Sequence, residues 1–310
     1  MKFLRLILAI QILFLLPLVV SAKEKDSPFA AWTLPGGRIA YLTPNDETKL
    51  RVVDSKGEYL GSYIHEVGDG GMLMPWDMVG SPDGWLFILD RMKAVVNVYD
   101  EDFEYKYSIG EKGSGQGQLK SPQALALDSY GFLYVANNGN NTIEKFNVDS
   151  KHAGTLRPES GEGVGTEFKY ITAIAATPDG KLAVAVDADD PILRRKVFVY
   201  NREGDLFGAI EMLKWGGQGR FTDLFVDEDN TLYLVDSPGE SGEYAGTVWH
   251  INKDGSLIKM YEAYDSGYGR YYSPLRVLVR SGQLYIFCVE KRCLVYSLEG
   301  AYLYSFGLEN

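Results

Sequence analysis

The sequence predicts an all-β fold, a single-domain six-bladed propeller of four-stranded antiparallel blades, and three observations carry that prediction. First, residues 110–149 hold three short apolar runs, 124–127, 132–136 and 142–147, divided by Gly, Asn, Asp and Ser as strands joined by tight turns are. Second, the unit recurs. Aligned on the residue that opens the second strand, the copies start at Gly37, Gly84, Gly131, Gly180, Asn230 and Gly282, at intervals of 47, 47, 49, 50 and 52 residues. Third, 21 tyrosines and 34 glycines favour strands and turns over helices.

Each unit reads the same way. Pro28, Pro75 and Pro122 stand nine residues before the anchor, Ile171 and Phe221 take that place in units four and five, and Pro274 stands eight before in the last. A first strand follows (78–80, 125–127, 174–176, 224–226), then the anchor strand, then a third (95–99, 143–147, 196–200, 247–251, 294–297). Turns such as Ser55-Lys56-Gly57, Arg202-Glu203-Gly204 and Lys253-Asp254-Gly255 lead to a fourth. A solenoid would use a shorter repeat. The six units fill residues 23–310, and because the first begins on its own inner strand, ring closure is expected from packing of blade one on blade six rather than from an exchanged strand.

The first 22 residues read as an export signal: Lys2 and Arg5, an apolar run over 6–20, and small residues at Val20-Ser21-Ala22 before Lys23. The run is shorter than the ~20 residues of a membrane span. The expected product is a periplasmic or secreted monomer with no membrane partner once the signal is removed. Loss of Lys2 and Arg5 takes the net charge from −11 to −13, a sign that disfavours nucleic acid as a partner. The two cysteines, Cys288 and Cys293, flank a hairpin. If Glu290-Lys291 is a two-residue tip, they face each other and form a local disulfide in an oxidising compartment. A lone Cys-x4-Cys pair is a poor zinc site.

Residues 115–146 resemble the NHL repeat: a glycine-rich turn, GQLKSP, ALALD, GFLYVAN, an asparagine, and closing Ile143 and Phe146. Unit two departs from the pattern with Val79-Gly80-Ser81 where the Asp belongs, and units four to six lose or shift the proline. The resemblance implies a propeller fold. It spans RNA-binding and protein-binding modules as well as lyases and lactonases, and so leaves function open.

In such a ring the interblade loops and the loops between second and third strands emerge on one face. The residue two beyond the proline opens the inner strand at the channel mouth; the six are Ala30, Asp77, Ala124, Ala173, Asp223 and Arg276. Asp77 and Asp223 belong to opposite blades and face one another, with Arg276 beside Asp223. Either they form a polar floor to a ligand pocket, or one Asp caps a turn while the other neutralises the arginine. Trp76, Trp215, Tyr268, Tyr271 and Tyr272 supply walls for such a pocket, or pack between blades. Asp187, Asp189 and Asp190 fail the EF-hand spacing and read as a solvated loop.

The sequence singles out no catalytic residue, metal ligand set or cofactor. His65, His152 and His250 all fall off the channel-lining positions. That departs from amidating-lyase propellers, which hold zinc with histidines, and the ring of two Asp, one Arg and three Ala departs from the Glu, Asn and Asp set of lactonase-type propellers. No G-x-S-x-G nucleophile motif is present, and the glycine runs at 113–117 and 161–165 lack dinucleotide spacing. The expected function is non-catalytic binding of a protein, peptide or glycan on the top face. The alternative is a metal-dependent lyase or lactonase using Asp77 and Asp223.

Overall fold

The anchor of every repeat sits where the backbone turns left-handed. Gly37, Gly84, Gly131, Gly180 and Gly282 have φ between +74 and +93°, and Asn230, the one non-glycine anchor, has φ +65°. Each ends the turn joining first and second strands. An l-residue with a β-carbon rarely adopts that region, and Asn tolerates it best, so backbone sterics explain why the repeat is most regular there. The residue opening the turn supports it: Asp128 Oδ1 accepts the amides of Tyr130 and Phe132, both at 2.9 Å.

The computed structural model describes residues 30–42, 49–63, 70–157, 170–187, 196–211, 220–237 and 246–308. These form six four-stranded antiparallel sheets, each with its strands in sequence order. The inner strands are Ala30–Thr33, Pro75–Gly80, Pro122–Leu127, Tyr170–Ala176, Arg220–Val226 and Pro274–Arg280. The outermost strands are Tyr59–Tyr63, Tyr105–Ile109, His152–Leu156, Leu206–Glu211, Leu257–Glu262 and Tyr302–Gly307. Two short ribbons lie in interblade loops: Glu111–Lys112 with Gln118–Leu119, and Tyr264–Asp265 with Arg270–Tyr271. Among the described residues no helix is long and apolar enough to cross a membrane. Residues 1–29, which contain the signal-like segment, lie outside those described, as do the loop residues 188–195 and 238–245.

Alternation along the strands sends successive side chains to opposite faces, and each face meets a neighbouring blade. Buried apolar residues accordingly group into six clusters, one per seam. Leu125, Leu133 and Val135 pack toward blade two, whereas Ala124, Ala126, Tyr134 and Ala136 of the same blade pack toward blade four. The sixth cluster closes the ring, with Ala31, Ile39, Tyr41 and Val53 of blade one against Leu278, Tyr285, Phe287 and Val295 of blade six. Hydrogen bonds cross that seam: Tyr304 donates to the Ser55 carbonyl at 2.7 Å and Tyr41 to that of Leu308 at 3.2 Å. Blade six is built from its own four consecutive strands, so closure is by packing, as the repeat phase implies.

The cysteine hairpin differs from expectation. The strands end at Cys288 and resume at Arg292, with Lys291 at φ +54°, so the loop has three residues rather than two. A three-residue loop ending in a left-handed residue is a common hairpin, and it shifts the register by one. Cys288 therefore pairs with Arg292, and Cys293 with Phe287. A one-residue slip exchanges faces: Cys288 joins the cluster between blades five and six, and Cys293 the cluster between six and one. The disulfide expected from the sequence is not formed, and both thiols are free and buried. Burial pushes both well above the ordinary thiol range, which makes them unreactive. The folded protein is expected to resist iodoacetamide, whereas protein unfolded without reductant takes up two labels per chain by mass spectrometry.

Candidate functional site

Every inner strand from blade two to blade six carries a register shift just before its channel-lining residue, between Pro75 and Asp77, Pro122 and Ala124, Ile171 and Ala173, Phe221 and Asp223, and Pro274 and Arg276. A bulge bends the strand and turns the following side chain toward the axis. The inner strands of all six blades enclose a cavity of about 80 Å3 whose lining includes Asp77, Ala124, Ala173, Asp223 and Arg276. Ala30, the sixth position, is fully buried and does not line it.

The structure brings Asp77, Asp223 and Arg276 together as one ionic group. Arg276 Nη1 donates to Asp223 Oδ1 at 3.0 Å, while Nη2 lies 3.3 Å from Asp77 Oδ1 and 3.4 Å from the Trp76 carbonyl. The remaining carboxylate oxygens hold backbone. Asp77 Oδ2 accepts the Leu125 amide of the next blade at 2.8 Å, its Oδ1 accepts the Met78 amide at 2.9 Å, and Asp223 Oδ2 accepts the Val277 amide at 2.9 Å. All four oxygens are engaged, and each aspartate staples its blade to the following one at the axis. Burial pushes Asp77 upward, against the pull of Arg276. Burial alone would lower Arg276, but Asp77 and Asp223 outweigh it and hold the guanidinium charged.

The other candidates divide. Trp76 is half-buried against the cluster between blades two and three, with the Arg91 guanidinium 4.4 Å from its ring centre. Trp215 lies outside the described residues. Tyr271 stands on the ribbon between blades five and six, where Tyr264, Tyr268 and Tyr271 are 37%, 67% and 55% exposed. The Tyr264 and Tyr271 rings meet at 4.8 Å, and Tyr271 donates to Glu262 at 3.3 Å. Tyr272 is buried beneath them, with Arg270 stacked on its ring. His152 pairs with buried Glu144, and His250 stacks on Tyr233 and bonds Thr231, both away from the channel; His65 lies outside the described residues.

Sequence reasoning missed the group that holds this ribbon. Asp265 is fully buried and accepts from Ser305 Oγ at 2.5 Å, Tyr302 Oη at 2.7 Å and Arg292 Nε at 2.9 Å. It also takes the Gly267 amide at 2.9 Å, and the Tyr296 hydroxyl donates to the carbonyls of Glu262 and Tyr264. Burial would raise Asp265; the hydrogen bonds from Ser305, Tyr302 and Arg292 overcome that and hold it at about 2. A second missed device is Asp90, whose carboxylate accepts the amides of Leu73, Met74, Met92 and Lys93 and so fastens two top-face loops together. Asn137 does the same in blade three, through the Lys120 amide and the Gln118 carbonyl. The aspartate and asparagine at the end of the second strand were visible in the sequence, but their partners lie 16 to 19 residues upstream in loops with no periodic pattern.

No family model matches the sequence. The chain aligns with human NHL repeat-containing protein 3 at 27% identity over 118 residues, 36% of this chain and 31% of that protein. The mouse counterpart aligns at 26% over the same extent. The match thus spans about a third of the length of these curated relatives. Among solved structures, virginiamycin B lyase from Staphylococcus aureus superposes with a TM-score of 0.61 at 10% identity, over 92% of this chain and 86% of that one. A protein of unknown function from Bacteroides thetaiotaomicron superposes with a TM-score of 0.62 at 13% identity, over 89% and 70%. At such identities the likeness is one of fold.

Two outcomes are expected. Arg276→Met leaves two facing carboxylates without their counter-charge and should cost roughly 3–5 kcal/mol in urea unfolding at pH 7, much of it recovered when Asp77→Asn and Asp223→Asn are added. For Asp265 the folded pKa lies below the unfolded one, so its contribution is complete above about pH 4 and lost as pH falls toward 2. The drop from 3.8 to about 2 corresponds to about 2 kcal/mol, and Asp265→Asn should flatten that part of the stability profile.

Proposed function

Taking the chain as an NHL-type six-bladed propeller, we propose that it is an exported, non-catalytic binding module, which engages a protein, peptide or glycan through its top-face loops. Export rests on Lys2 and Arg5, the apolar run over 6–20 and the small residues ending at Ala22. The module works as a monomer, without nucleic acid and, once the signal is removed, without a membrane partner. Its acidic charge fits that role.

One observation carries the reading. The charged groups at the axis satisfy each other and the backbone, while the aromatic side chains on the interblade ribbon stand open to solvent on a fixed base. Exposed aromatics on a rigid support favour recognition. The alternative, a lyase or lactonase working through Asp77 and Asp223, requires carboxylate oxygens free to hold a metal or move a proton. Here each oxygen already has a partner. The likeness to virginiamycin B lyase is one of fold and brings no catalytic residue with it.

The test is capture from a native envelope fraction by the immobilised protein. A partner retained by the wild type should be lost with the pair Trp76→Ser and Tyr271→Ser, and kept by Phe207→Ser, a change at an exposed outer-strand residue. Capture that survives the top-face pair and fails with Phe207→Ser would place recognition on the outer strand of blade four instead of the top face.

A further inference from the structure

The ribbon between blades five and six offers a particular kind of surface. Its exposed residues are Tyr264, Ser266, Gly267, Tyr268, Gly269, Arg270 and Tyr271, with Glu262 at the foot. No aliphatic side chain is among them. A polar group borders the rings: the Tyr271 hydroxyl and Glu262 carboxylate are within 3.3 Å of each other.

Arginines already occupy several of the ring faces nearby. A cation is attracted to the negative face of an aromatic ring. Around this face that place is already filled from within: Arg292 lies 4.1 Å from the Tyr268 ring centre, Arg270 4.6 Å from that of Tyr272, and Arg91 4.4 Å from that of Trp76. At Tyr268, Tyr272 and Trp76 a cationic ligand would have to displace guanidinium groups tethered to the same chain. Tyr264 and Tyr271 have each other as ring neighbour and no cation over either ring among the described contacts. An uncharged ligand with weakly positive C–H groups on one face and hydroxyls at its edge matches both the rings and the polar border.

We infer that this ribbon is a stacking platform for a neutral, pyranose-based glycan, with Tyr271 and Tyr264 as the contact rings and Glu262 as a hydrogen-bonding partner for its hydroxyls. The inference deepens the proposed top-face binding and rests on it. Rigidity supports it. A sugar face gives little free energy per contact, so a platform that must first be ordered would bind poorly. This one is ordered beforehand: Asp265 pins the loop to blade six, and the Tyr296 hydroxyl holds the backbone of Glu262 and Tyr264.

The test exposes the full mature chain to an array of neutral oligosaccharides built from glucose, mannose, galactose and N-acetylglucosamine. A proline-rich peptide and a tetralysine peptide are included at matching concentration. The expected result is binding to at least one neutral oligosaccharide, weakened about tenfold or more by Tyr264→Ser with Tyr271→Ser at an unchanged melting temperature, and retained or tightened by Tyr271→Trp. Binding of a peptide alone, no binding to any oligosaccharide, or sugar binding indifferent to the serine pair overturns the glycan assignment. If envelope capture still depends on Tyr271 while the oligosaccharides fail, the ligand class falls and top-face binding stands. If capture ignores the top-face variants, the underlying reading falls instead.

Discussion

A four-stranded blade has two apolar faces and cannot cover either alone, so everything in this structure depends on each blade being covered on both sides by its neighbours. The last seam is the hardest to satisfy, because its partners are far apart in sequence. Tyr41 reaches the Leu308 carbonyl 267 residues away, and Tyr304 reaches back 249 residues to Ser55. No covalent link assists, since the two cysteines fall on opposite faces of blade six and each simply fills an apolar cluster. Closure is carried by the packing of Phe287, Tyr285, Val295 and Phe306 on Ile39, Tyr41 and Val53. Burial of such side chains contributes roughly 1.5–3 kcal/mol each, and the hydrogen bonds mainly fix the register in which they meet.

The axis and the rim divide the polar work. At the axis the inner strands have no further strand to pair with, so their inward backbone groups need partners from side chains. Asp77 and Asp223 supply them across seams two–three and five–six, and Arg276 offsets the charge this concentrates. Ala124 and Ala173 lie in the blades between, which keeps the channel narrow. On the rim, Asp90, Asn137 and Asp265 act on loops rather than on the channel, fixing their conformation through backbone amides and neighbouring side chains. The same chemistry, a carboxylate or amide bonding an amide N–H, thus builds the scaffold at the centre and shapes the surface at the edge.

How much of this was legible in the sequence follows from what has a period. The anchor glycines and Asn230 recur because each must take a left-handed backbone, so blade number, strand order and closure could be read directly. Asp77, Asp223 and Arg276 could be placed together because a fixed offset from the proline, or from Phe221 in its place, survives the bulge that turns them inward. The sequence offered a polar pocket floor, or one Asp capping a turn with the other neutralising the arginine, and had no means to show that both aspartates contact Arg276. The cysteine register failed by one residue because the sequence does not distinguish a two-residue from a three-residue loop at Val289-Glu290-Lys291. Tyr268, Tyr271 and Tyr272 were visible as candidate walls, but what holds their ribbon, Asp265 beneath it and Arg292 over Tyr268, was not, because those contacts join an interblade loop to a blade 27 to 40 residues on without any repeat to mark them.

The account places structure at the axis and recognition at the rim, and a crystal structure of the protein with its captured ligand tests that division most directly. The division predicts ligand density against Tyr264 and Tyr271, with Arg276 still bridging Asp77 and Asp223. A ligand or ion held by Asp77 and Asp223, with Arg276 displaced from between them, would contradict it.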